Sequence, residues 1–130
     1  MKCILTIASL LFLAACSKHS GDVAPTETPS ATLTVLAPTT GATYRNGDTV
    51  WIKATAIAPA NIHGYEVSIN PAGDSTKLFS AHVHDHNDTL QINQYWVNDR
   101  TGVSNLEARI LLTLDHEGHT LERVVPIGTR

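Results

Sequence analysis

Cysteine is nearly absent from this chain of 130 residues. Its two copies, Cys3 and Cys16, lie within the first sixteen positions and belong to no C-x-x-C pair or dense cluster. A disulfide framework is therefore excluded. Positive charge is also scarce, with 9 Lys+Arg against 12 Asp+Glu and a formal net charge of -3. A nucleic-acid binder would need a basic footprint, which this balance does not supply. The sequence holds no P-loop, no GxGxxG and no GxSxG, and no serine, histidine and aspartate spacing singles out a triad. The reading is accordingly non-enzymatic. The main apolar run, from Ile4 to Leu13, is too short to cross a hydrocarbon layer of about 30 Å as a helix. Against these absences, 42% hydrophobic and 16% charged residues describe a globular chain with room for one domain.

The first residues carry an address. Met1-Lys2 gives a positive start, the apolar run follows, and small residues lead to a cysteine in Leu13-Ala14-Ala15-Cys16. Charge, length and small-residue exit are those of a secretory signal. The ending resembles the lipobox of bacterial lipoproteins. That resemblance implies a signal peptide over residues 1–15, cleavage after Ala15, and lipidation of Cys16, which would tie the chain to a membrane. Ser17 stands where an inner-membrane retention signal would show Asp, so the same resemblance implies the outer membrane. The lipidated cysteine and the stretch to Ser30 form a segment of residues 16–30 with two prolines and no hydrophobic periodicity, expected to be a flexible linker. His19 falls in this linker and is expected to be solvated.

Residues 31–130 read as one β domain. Apolar and polar residues alternate in seven runs, around Leu33–Ala37, Val50–Ala56, Tyr65–Ile69, Lys77–His84, Thr89–Val97, Leu106–Leu114 and Leu121–Val125, with turn residues between most of them. Leu106, Ala108, Ile110 and Leu112 give the clearest inward phase, and Trp96 shares the apolar phase of Leu90 and Ile92. Trp51 and Tyr95 fall on the polar phase, where exposed rings could stack on sugars. About seven short strands predict an antiparallel, Ig-like or fibronectin-III-like β-sandwich, with a small barrel as the competing architecture. Pro38-Thr39-Thr40-Gly41 followed by Gly47-Asp48-Thr49-Val50-Trp51-Ile52 resembles the opening of bacterial Ig-like domains. Leu112 to His119 resembles their penultimate strand and hairpin. The whole order of lipobox, linker, single domain and His-rich middle resembles small lipoproteins of the Bacteroidota, a likeness that implies fold and location and no particular activity.

Six of the seven histidines lie beyond residue 60, with the densest stretch at His82-Val83-His84-Asp85-His86. On an extended strand His82, His84 and His86 share one face. Positions two apart sit about 6.6 Å apart at Cα, so two imidazoles can converge on one ion, whereas the first and third start about 13 Å apart. Partners from elsewhere are needed, and the hairpin residues His116 and His119 are the natural candidates. The candidate metal site is therefore His82, His84, His86, His116 and His119, with Asp85, Asp88, Asp115 and Glu117 as further ligands or orienters. Imidazole and carboxylate without thiolate suit zinc, copper(II) or nickel(II). The competing readings are solvated polar decoration and a partner-binding surface. Asp115 to His119 is first a hairpin connection with Gly118 in a left-handed conformation, and His63, before Gly64, is expected in a loop. Asp85-x-Asn87-Asp88 lacks the glycine and distal glutamate of an EF-hand. His82-Val83-His84 resembles the copper-ligand strand of Cu,Zn superoxide dismutases, but the Gly-rich zinc loop and disulfide are missing and that identity is rejected.

The expectation is thus a non-enzymatic lipoprotein of the bacterial cell envelope that binds zinc or copper through its histidines. The alternative is a surface adhesion or glycan-binding module, or an accessory subunit of an envelope complex. Expected partners are the membrane, through Cys16, and a protein or glycan at the surface.

Overall fold

The computed structural model describes residues 29–130; the expected signal peptide, Cys16, His19 and most of the linker lie outside the described residues. Six strands follow in order: β1 (Thr32–Ala37), β2 (Thr43–Tyr44), β3 (Thr49–Pro71), β4 (Phe79–Val97), β5 (Ser104–Thr113) and β6 (Thr120–Thr129). Turn chemistry falls where the sequence places it. Asp48 N–H bonds Arg45 C=O at 3.0 Å while the Asp48 carboxylate accepts from Arg45 N–H at 2.7 Å, closing the β2–β3 turn.

Two strands are far longer than the usual five or six residues. Here β3 and β4 pair along their lengths as one antiparallel ribbon, from Thr49↔Val97 to Ile69↔Phe79. The ribbon changes neighbours halfway. Its first half, where Val50 to Ile57 pairs with Thr89 to Trp96, is bordered by β1. Its second half, beyond Ile62, pairs with β5, which continues to β6 and then to β2. The register slips between Ile57 and Ile62 and again between Ile62 and Gly64, and these bulges let the backbone turn the corner without ending the ladder.

The seven expected runs collapse into five strands, and the two-residue β2, which none of them covers, brings the count to six. The runs at Val50–Ala56 and Tyr65–Ile69 are two halves of β3, and those at Lys77–His84 and Thr89–Val97 belong largely to β4. Alternation lapses at each bend, but hydrogen bonding resumes after a bulge. The fold class stands as expected. A sheet curled so that β1 and the first half-ribbon face the second half-ribbon, β5, β6 and β2 across one core is the Ig-like, fibronectin-III-like arrangement.

The inward phases meet in that core. Leu33, Val50, Ile52, Leu90, Ile92 and Trp96 come from one side, and Val67, Ile69, Leu106, Ile110, Leu112 and Ile127 from the other. Each fully buried branched aliphatic contributes about 1.5–3 kcal/mol relative to exposure. Polar tips inside are partnered: Gln94 Nε2 donates to the Tyr65 hydroxyl at 3.1 Å, and Ser68 Oγ donates to Asn70 Oδ1 at 2.8 Å.

Candidate functional site

The corner of the ribbon gathers histidines. Ile62 pairs with Asn87 and Gly64 with His84, so Asp85 and His86 together oppose the single residue His63. The bulge brings His63 against the His-rich stretch of β4. On the other side of β3, Gly64 pairs with Thr113, the last residue of β5. The β5–β6 connection therefore starts beside His63 and carries His116 to it.

Gly64 makes this approach possible. Its φ is +132°, and a Cβ there would lie 2.3 Å from the carbonyl oxygen of Val83. Only glycine lets β3 pass this close to β4 at that angle.

The rings then form a continuous group. His63 lies edge-on to His116 with ring centres 4.0 Å apart and to His86 at 4.9 Å; His86 meets His84 at 4.6 Å and stands 6.4 Å from His116. Two imidazoles bound to one tetrahedral ion with bonds of about 2.0–2.1 Å have ring centres roughly 5 Å apart. The observed separations bracket that value. His84, His86 and His116 are exposed, whereas His63 is half-buried. Its Nδ1 is buried and has no hydrogen-bond partner among the described residues. Desolvation, reinforced by the neighbouring His116, His86 and His84 rings and only partly opposed by Asp115, holds the His63 pKa below the ordinary histidine value. A lowered pKa favours the neutral form of the ring, the form that can ligate an ion.

Of the five histidines expected at the site, the structure brings three together and leaves two apart. His84, His86 and His116 join the group. His82 is on the same outward phase of β4 but pairs across with Glu66, and none of the ring contacts among the described residues includes it. His119 faces Asp115: its Nδ1 is 2.5 Å from Asp115 Oδ2. His63, expected in a loop, is instead the hub.

The β5–β6 hairpin has its own logic. Asp115 Oδ1 accepts the backbone N–H groups of Glu117 and His119, both at 3.0 Å, and Gly118 takes φ +93° to complete the turn. Burial alone would raise the Asp115 pKa. The backbone and ring hydrogen bonds of His119, its charge, and the Glu117 N–H outweigh that and hold it below the usual carboxylate range. Ligand atoms of Asp115, Glu117 and His119 lie within 4.8 Å of one another. The Asp115 carboxylate is already committed to the turn; even so, among the described residues this trio, and no trio of the imidazole group, brings three ligand atoms that close. Asp85 acts likewise, accepting from the N–H of His86 at 2.7 Å and from the Asn87 amide, which shapes the bulge that presents His86. A shallow polar depression between β3 and β5 has its charges paired internally, Lys77 with Glu66 and Arg109 with Glu107 and Glu122.

No protein-family model matches this chain, and no curated protein matches it. Among solved structures, it is similar to the fibronectin(III)-like modules of Clostridium thermocellum CbhA, with a TM-score of 0.45 and 21% identity, over 75% of this chain and 94% of that one.

Proposed function

We propose that this protein is a non-enzymatic binding module of the bacterial cell envelope, lipid-anchored through Cys16, that holds a divalent transition ion such as zinc or copper(II) at the corner of its β3–β4 ribbon. The observation that carries the reading is the grouping of the His63, His86 and His116 rings, with His84 against His86, together with a buried His63 Nδ1 that has no hydrogen-bond partner among the described residues. Buried polar nitrogens are ordinarily satisfied, and an ion bound by the neighbouring rings supplies the missing partner. All-nitrogen donors favour zinc and copper(II) over calcium or magnesium. Three of the four rings face solvent, which suits an ion that is exchanged more than one that holds the fold together. Sequestration or delivery follows from that openness. The anchor and the outer-membrane location rest on the sequence of residues 13–17.

Calorimetric titration of the full chain with zinc or copper(II) at pH 7.5 tests the reading. One site of micromolar affinity or better is expected. His63→Ala and His86→Ala should each remove most of that affinity, while His82→Ala leaves it in place. Absence of stoichiometric binding, or full binding by a His63→Ala/His86→Ala variant, contradicts it. Loss on His119→Ala alone places the ion on the hairpin carboxylates instead.

A further inference from the structure

The opposite end of the ribbon carries a second surface that the metal reading does not use. Trp51 and Tyr95 are direct cross-strand partners on the outer face of the first half-ribbon, 43% and 56% exposed, with ring centres 5.3 Å apart and planes tilted by 50°. The Lys53 ammonium lies 4.8 Å from the Trp51 ring centre and steadies the indole. From this pair the outward residues run along β4 through Asn93 and Gln91 to Thr89, opposite Lys53, Thr55 and Ile57 of β3. At about 3.4 Å per residue, Tyr95 to Thr89 spans roughly 20 Å.

From these features we infer that this face is a binding strip for a neutral polysaccharide chain. The chemistry on the strip matches such a ligand at each point. A pyranose ring presents apolar C–H faces and a rim of hydroxyls; the strip presents two exposed aromatic rings, then neutral amides and hydroxyls, with exposed Ile57 at its far end. Thr55 Oγ1 donates to Gln91 Oε1 at 3.1 Å, which leaves the Gln91 amide donors without a partner among the described residues. Lys53 is the one charged side chain on these outward positions of β3 and β4. A polyanion would find a single cation on a protein of net charge -3, and an anionic membrane surface would find no basic cluster. A protein partner would favour an apolar centre ringed by polar groups. Here the exposed apolar groups stand apart instead, Trp51, Tyr95 and Val97 at one end and Ile57 at the other with a polar row between, an order suited to an extended chain.

Affinity electrophoresis of the full chain in detergent tests this, using gels containing hydroxyethylcellulose, xylan or mannan, with alginate as the polyanion. Retardation is expected in at least one neutral gel and not in alginate. The Trp51→Ala/Tyr95→Ala variant should bind on the order of tenfold more weakly or worse, while its β-sheet circular dichroism is kept and the His63→Ala/His86→Ala variant is retarded like the parent. No retardation in any neutral gel, retardation in alginate alone, or equal retardation of the aromatic double variant overturns the inference. A dimer that the same double variant disperses overturns it too, since the strip would then be covered by a second copy.

Discussion

The two ends of the β3–β4 ribbon are built from the same pairing and present opposite chemistry. At the first end the ladder is regular, residues alternate strictly, and outward positions are spaced evenly into a flat strip with Trp51 and Tyr95 at its margin. At the corner the ladder is broken by bulges, two β4 residues oppose one of β3, and outward side chains are thrown together. Regular pairing spreads side chains about 6–7 Å apart along a strand, a spacing for extended ligands. A bulge with a glycine crowds them until neighbouring imidazole centres lie 4.0–4.9 Å apart. The difference lies in backbone geometry as much as in residue type. His82, only two residues from His84 but opposite Glu66 on regular ladder, does not join the group.

That contrast can be broken most severely from inside. Ile62 is fully buried beneath the corner. Ile62→Asp should abolish folding or destabilise by about 4 kcal/mol or more, measured by denaturant unfolding, because it strands a carboxylate in the core. Ile110→Asp should do the same from β5. Gly64→Ala comes next. The clash with the Val83 carbonyl and the positive φ should cost roughly 3 kcal/mol, and any folded fraction should lose metal affinity while keeping the far end of the ribbon intact.

A smaller effect is expected from pH. With His63 held below its ordinary pKa of about 6.5, the unfolded chain takes up that proton more readily than the folded one. Metal-free protein should therefore lose stability as pH falls below about 6.5 and gain nothing from this residue above it. Thermal melts across pH 7.5 to 5 should show the slope, and His63→Gln should flatten it. The smallest effect belongs to the flat end. Tyr95→Ala removes an exposed cross-strand aromatic contact and should cost within about 1 kcal/mol, since little buried area is lost.

The sequence carried the flat end well and the corner only in part. Alternation placed Trp51 and Tyr95 outside and Trp96, Ile110 and Leu112 inside, and the structure agrees at each. It also put His84 and His86 on one face. What alternation does not contain is register between strands distant in sequence, since pairing is selected by the whole core and shifted by bulges. His63 therefore lies on a strand where the pattern alone suggests a loop, although a glycine inside an otherwise strand-like run, His63-Gly64-Tyr65, is a signal for a bulge or a close backbone approach. Nearness in sequence to His116 suggests that His119 joins the cluster. The Asp115 turn instead holds it on the hairpin, a local preference of aspartate that its position before Gly118 makes legible in hindsight. Merging seven runs into five strands has the same cause, because a bend that keeps its hydrogen bonds looks like a break in the pattern.

The most direct measurement of the central claim is long-range proton–nitrogen NMR of the imidazoles in the full chain, recorded with and without one equivalent of zinc. The account predicts that the ring nitrogens of His63, His84, His86 and His116 shift together and saturate at one equivalent, with His19 and His82 unmoved. Saturable shifts confined to His119, or a uniform response of all seven rings, would contradict it.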